Sequence, residues 1–291
     1  MGRKGWAGNL QLAGIYLLVI IIVVIFLLPI YSMLTISFKL PSEVVKMPPV
    51  LFSNLTLANY KTVLFGEKLE GTNLISGADV SFAKALLNSL FVGLSATGLA
   101  LLLGVPPAYV LARFEFKRKR DVALFILSTR FAPPLAVLIP YYIAFSRLRL
   151  LDTHIALIAM YTVMNLSMVV WMMMGFFKEL PREIEDAALV DGCTRLAALR
   201  YITLPLVAPG VAATTIFVMM MSWNEFAFAV FLTSTVARTA PVAVLAYIRY
   251  MHVAWGPLAA AGTVISLPVI AFVLIFQQRL VRGLTLGAIH G

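Results

Sequence analysis

Two ionisable side chains, Arg130 and Glu225, stand inside long apolar runs of this sequence, and one charged segment, Glu179 to Pro209, interrupts those runs. A charge at the centre of a bilayer costs about 2.5–3.5 kcal/mol on insertion scales, so each one needs a partner or a water-filled cavity. Trp223 and Asn224 directly precede Glu225. Amides and carboxylates hydrogen-bond hydroxyl groups, and an aromatic face packs against the C–H side of a sugar ring. Arg130, Trp223, Asn224 and Glu225 are therefore candidates to border a pathway for a hydroxylated solute. A structural Arg130–Glu225 ion pair, or a contact with another subunit, accounts for the same residues as well.

Bond-making chemistry finds no comparable set. The single cysteine, Cys193, excludes an internal disulfide and a cysteine-rich metal site, and His154, His252 and His290 lie far apart without ligand spacing. No Ser/His/Asp set stands out, and no metal site is expected. The sequence lacks a G-x-x-x-x-G-K-[ST] loop, so ATP is not bound by that route. The runs Met172–Met174 and Met219–Met221 read as adaptable packing, because thioethers fill irregular gaps.

The charged segment, ELPREIEDAALVDGCTRLAALRYITLPLVAP, carries helix punctuation. Pro181 suits a first helical position, and Glu183, Glu185 and Asp186 fall in the first turns, where acids suit the helix dipole. Gly192 fits the stop, since glycine takes the left-handed conformation just past a helix end. Ile184, Ala187, Ala188 and Asp191 share one small, acid-bordered face. A second helical stretch, Thr194 to Thr203, is expected to close at Leu204-Pro205. The segment reads as a compact helical knob held between membrane spans and offered to something outside the membrane.

The surrounding elements are membrane spans. Of 291 residues, 61% are hydrophobic and 12% charged, and the mean hydropathy is +0.95. Those values lie outside the range of soluble domains. The 23 basic and 13 acidic residues give +10, which the positive-inside rule explains without invoking nucleic acid. A bilayer takes roughly 20 apolar residues to cross. Spans are predicted over Leu12–Leu34, Phe82–Leu111, Val122–Phe145, Ile155–Phe177, Pro209–Leu232 and Leu258–Leu280. Pro106-Pro107 should kink the second, and Pro133-Pro134 should break the third. Arg113, Lys117, Arg118, Lys119 and Arg120 mark a cytoplasmic loop. By parity the charged knob and both termini are also cytoplasmic. Lys39 to Ser81 is expected to be an outer loop with little regular structure, and Thr233 to Trp255 an outer segment with a membrane-surface helix around Ala243 to Met251.

The spacing of Asp186-Ala187-Ala188, Gly192 and Ile202-Thr203-Leu204-Pro205 resembles the EAA signature of ABC importer permeases. The usual first Glu is Asp186 here, with Glu185 just before it, and either carboxylate could meet a basic group on a partner. Asn88-Ser89-Leu90, Ala108-Tyr109, Ala112-Arg113-Phe114, Ser222-Trp223-Asn224-Glu225-Phe226 and the ending Arg282 to Gly291 resemble the carbohydrate and polyol subgroup, of the maltose-importer MalG type.

The resemblance implies an all-α, polytopic membrane protein with six transmembrane helices and the type I ABC importer permease fold. It implies a permease subunit for a sugar, sugar alcohol or glycoside, not an enzyme, in a bacterial inner membrane. Expected partners are a second permease subunit, two ATPase subunits that hold ATP and magnesium, and an extracytoplasmic solute-binding protein; no cofactor is expected on this chain. Expected coupling residues are Glu185, Asp186, Ala187, Ala188, Asp191, Gly192, Ile202, Leu204 and Pro205. Gly287, Ala288 and Gly291 in the tail are expected to reach the ATPase. The expected division is residues 1–81 for the first span and loop, 82–283 for the core and 284–291 for the tail. The alternatives are an ion-coupled secondary carrier acting alone, for which one Glu in the spans and no visible inverted repeat are thin support, and an ABC permease for a non-carbohydrate solute.

Overall fold

The computed structural model describes residues 3–44, 46, 55–67, 81–249 and 252–286, with side chains from residue 12 to residue 275 among them except at 249 and 252. The described chain is helical apart from one antiparallel pair of two-residue strands, β1 (Ile248–Arg249) and β2 (His252–Val253). Four helices are long and apolar enough to cross a bilayer: Leu12–Ser37, Phe82–Arg113, His154–Glu179 and Trp255–Ile275. Among the described residues two sharply bent helix pairs bring the number to six when each pair is counted as one span.

The chain forms two compact units, Met1–Phe82 with Val244–Ser266, and Ala83–Ala243 with Leu267–Gly291. In the first unit, α1 (Arg3–Ser37) is followed by the short α2 (Pro41–Val44) and α3 (Ala58–Phe65). Buried Asn59 of α3 donates to the carbonyls of Ser37 and Lys39 at 2.9 and 2.8 Å. Its amide thus satisfies backbone groups that the end of α1 leaves open. Within the loop expected to lack regular structure, α2 and α3 are therefore ordered helices. The surface helix expected near Ala243–Met251 is also absent from the described residues of that stretch. The short α13 (Ala240–Ala243) stops at Ala243, a 3₁₀ turn covers Val244–Tyr247, and the β1–β2 pair follows. Helix α14 (Trp255–Leu286) ends the described chain.

In the second unit, α4 (Phe82–Arg113) runs on through Pro106-Pro107, and α7 (His154–Glu179) is the central post. Gly104 lets α4 come against α7: a Cβ there would lie 2.7 Å from Val169 Cγ1. One buried cluster joins Leu138, Phe145, Leu157, Tyr161, Phe228 and Leu232. A second, nearer the end of α7, joins Tyr109, Val169, Met173, Phe177 and Val218.

The third span bends where its prolines predict. Lys119–Phe131, containing α5 (Lys119–Ser128), meets α6 (Pro134–Arg147) at 89°. Proline lacks the amide and forces the preceding residue out of helical geometry. The fifth span differs from expectation. It is interrupted at 224–226, between α11 (Ala208–Trp223) and α12 (Ala227–Leu232). Glu225 explains the break, because its carboxylate accepts the Phe228 and Ala229 amides at 2.9 and 3.1 Å and caps α12.

Before α7, Asp152 forms a clasp. Its carboxylate accepts the backbone amides of Ser234, Thr235, Val236 and Ala237 at 3.0–3.2 Å, and the Ser234 hydroxyl at 2.8 Å. Burial opposes ionisation, but the Val236, Ser234 and Ala237 amides and the Ser234 hydroxyl hold its carboxyl well below the usual carboxylate range. Asn88 seats the same segment. Its Nδ2 donates to the carbonyls of Val236 and Arg238, both at 2.9 Å, while its Oδ1 pairs with His154 Nε2 at 2.9 Å.

Candidate functional site

The knob after α7 is built from α8 (Arg182–Val190), α9 (Arg195–Ala198), a wide π turn over Leu199–Thr203, and α10 (Leu204–Leu206). Pro181 is the residue just before α8 rather than its first, and Glu183 and Glu185 lie in the first turn. Gly192 ends the helix with φ +87°. Its amide bonds to the Leu189 carbonyl at 3.1 Å and the Cys193 amide to Ala188 at 3.0 Å, which is the Schellman pattern. Thr194 then caps α9 by accepting the Ala197 amide at 3.2 Å. The second helical stretch does not close at Leu204-Pro205. It continues to Leu206, and the chain turns by 77° before α11, where Pro209 lies in the first turn.

Glu185 is the anchor of this knob, only 7% exposed. Its Oε1 accepts Arg113 Nε at 2.9 Å and the Thr203 hydroxyl at 3.1 Å, and its Oε2 accepts the Tyr109 hydroxyl at 2.9 Å. Arg113 also donates through Nη2 to the Leu180 carbonyl at 2.9 Å. One carboxylate thus ties α8 to the end of α4 and to the π turn, and Arg113 carries the link on to the end of α7. The Phe177 ring stands edge-on to Tyr109 at 5.5 Å and excludes water from one side. A buried pair gains little over apolar packing, but removing one partner strands a charge at a cost of about 3–5 kcal/mol. Arg113 therefore differs from the rest of its basic run. It is an internal counter-ion and not a solvated loop charge.

Asp186 points the other way and is exposed, as are Ala187, Asp191, Gly192 and Pro205. Around them lie Val190, Leu196 and Tyr201, at 87%, 75% and 70% exposure. Ala188 is buried, and Ile202 and Leu204 are half-buried. Of the two adjacent carboxylates, Glu185 is committed inward and Asp186 is exposed. Tyr109, Arg113 and Thr203 were not singled out as the carboxylate's partners. Tyr109 and Arg113 lie in Ala108-Tyr109 and Ala112-Arg113-Phe114, so the signal was present but its pairing with Glu185 spans more than 70 residues.

A chain whose one charged knob hangs by a buried carboxylate from bent, apolar spans matches a known family. The model described as "Binding-protein-dependent transport system inner membrane component" covers residues 100–286.

The chain belongs to that family.

It is a membrane-spanning permease subunit of an ABC importer, a transport component and not an enzyme. The probable ABC transporter permease protein y4oR of Sinorhizobium fredii is 35% identical over 265 residues, 91% of each chain. The trehalose transport system permease protein SugB of Mycobacterium tuberculosis is 35% identical over 268 residues, 91% of this chain and 93% of that one. A bacterial ABC transporter involved in import of the acidic polysaccharide alginate shares the fold at TM-score 0.74 and 20% identity, over 96% of this permease and 98% of that chain.

The four residues considered for a solute pathway fall in different settings. Arg130 lines a cavity of about 420 Å³ with Thr129, Tyr141, Val163, Met164 and Ser167, and its Nη2 lies 3.1 Å from Met221 Sδ. Trp223 is buried, and Asn224 is exposed with Nδ2 bonded back to the Met220 carbonyl at 2.8 Å. Glu225 caps α12. Among the described residues the ion pairs are Arg113–Glu185, Lys119–Glu115 and Arg182–Glu115, so Arg130 and Glu225 do not pair with each other. The tail residues Gly287, Ala288 and Gly291 lie outside the described residues.

Proposed function

We propose that this permease imports a carbohydrate or polyol by alternating access and that its knob, α8 to α10, is the contact with an ATP-hydrolysing subunit. The observation that carries the coupling role is the division between adjacent carboxylates. Glu185 binds Tyr109 and Arg113 at the end of α4 and Thr203 within the knob, while Asp186 stands exposed among Val190, Leu196 and Tyr201. A push on the outer face is thereby delivered to α4 and α7 through a buried, hydrogen-bonded junction. The carbohydrate class is supported by the trehalose permease that matches along 91% of this chain.

The working assembly would comprise a second permease subunit, two ATPase subunits holding ATP and magnesium, and a solute-binding protein on the outer side. Both termini and the knob would then face the cytoplasm, with residues 287–291 reaching toward the ATPase. Arg130, Trp223, Asn224 and Glu225 remain candidates for the pathway. The cavity beside Arg130 favours that residue, whereas the capping bonds of Glu225 favour a positional role.

The test compares the complex purified from native membranes with its Asp186→Lys variant in ATP-loaded proteoliposomes. Wild type should co-purify with an ATPase and take up labelled sugar only when ATP is present. The variant should keep its second permease and lose coupled uptake at least tenfold. Uptake by this chain alone, without ATP, would overturn the proposal in favour of a secondary carrier.

A further inference from the structure

We propose that the cavity at the α4–α5 turn is a binding site for the phosphate-bearing headgroup of an anionic membrane lipid. The cavity measures about 620 Å³ and is bordered by Arg118, Arg120 and Lys178, with Lys119, Glu115 and Asp121 beside them. Lys119 is bound to Glu115 at 2.8 Å, whereas Arg118, Arg120 and Lys178 enter none of the ion pairs among the described residues. Three cations thus share one space with a single uncommitted carboxylate, Asp121. The backbone of Arg118 is left-handed, φ +64°, and turns the loop so that consecutive basic residues border the same space.

The floor of this basic cavity is apolar. Leu111, Phe116, Ala123 and Met174 line it. The exposed flank of α5 is also apolar, with Val122, Leu124 and Phe125 at its surface. A basic cavity with an apolar floor, beside the exposed apolar flank of α5, matches a molecule with an anionic head and a hydrocarbon chain. A free phosphate ion makes no use of the apolar floor and flank.

The test is lipid retention by the complex of this chain with its co-purifying subunits, measured by native mass spectrometry after exchange into phosphatidylglycerol or phosphatidylcholine. Wild type should retain phosphatidylglycerol in preference. The triple variant Arg118→Gln/Arg120→Gln/Lys178→Gln should lose that retention about tenfold or more. Lys117→Gln, in the same loop but outside the cavity, should retain it, and Ala123→Trp, which crowds the apolar floor of the cavity without altering charge, should weaken it.

Loss of lipid in Lys117→Gln equal to the triple variant would mean diffuse surface attraction and overturn the site. Displacement by millimolar inorganic phosphate, with Ala123→Trp silent, would assign the cavity to a free anion and overturn the lipid. Unchanged lipid in the triple variant together with loss of a co-purifying subunit would make the cavity a protein contact and likewise overturn it.

Discussion

Helix α7 is flanked at each end by one carboxylate, and the two are held differently. At the far end Glu185 is buried and bound by side chains, one of them the guanidinium of Arg113. At the near end Asp152 is half-exposed and bound by four backbone amides and two hydroxyls, without a cation. Side-chain partners come from separate helices, so the Glu185 junction links elements that can move as bodies. Backbone amides come from one loop, so the Asp152 clasp shapes that loop and ties it to α7. A buried charge pair fails abruptly when one member goes, whereas a solvent-touched acceptor of amides fails gradually.

The sharpest way to break this contrast is Glu185→Ala. It strands Arg113 in an apolar setting and should cost about 3–5 kcal/mol, read as loss of the folded complex or a large fall in its Tm. The paired change Arg113→Met/Glu185→Leu should recover much of that stability and leave ATP-coupled uptake impaired; recovery of both would mean that the junction carries no coupling. Tyr109→Phe removes one donor to a buried charged acceptor and should cost about 1.5–3 kcal/mol in denaturant titration.

Gly192→Ala follows. A Cβ there meets nothing within 4 Å, so the cost is the left-handed backbone alone, about 1–2 kcal/mol. A larger loss would show that a neighbour, not the backbone, demands glycine.

The smallest effect is expected at the other end, from Asp152→Asn, at about 1 kcal/mol. Its sign with pH follows from its depressed carboxyl. A group whose folded value lies below its unfolded value of about 3.9 stabilises fully above that value and progressively less as pH falls toward the folded one. The Tm difference between wild type and Asp152→Asn should therefore be constant from about pH 5 to 8 and narrow below about pH 4. A difference that narrows instead near neutrality would assign the effect to another group.

Much of the fold was legible in local sequence. Apolar runs of span length marked the crossings, Pro133-Pro134 marked a bend, and Gly192 marked a helix end. These are short-range properties of hydration, missing amides and allowed dihedrals. The misreadings arose where a side chain overrode its neighbours. Glu225 sits in an apolar run and suits a pathway border or an ion pair with Arg130; the pair is not formed, and the carboxylate caps a helix that begins one residue beyond the next. Arg113 heads a basic run that marks a loop, but it lies against Glu185, far along the chain.

The sequence by itself determined that this protein crosses a membrane through bent helices and carries one charged knob between them. Periodicity, apolar run length and helix punctuation are written locally, so no partner in space is needed to read them. Only the tertiary structure decided which of two adjacent acids is internal. Both Glu185 and Asp186 satisfy the same local pattern on α8. Which is buried depends on where α4 and the π turn at Leu199–Thr203 place Tyr109, Arg113 and Thr203, because a carboxylate can leave water only where such donors await it.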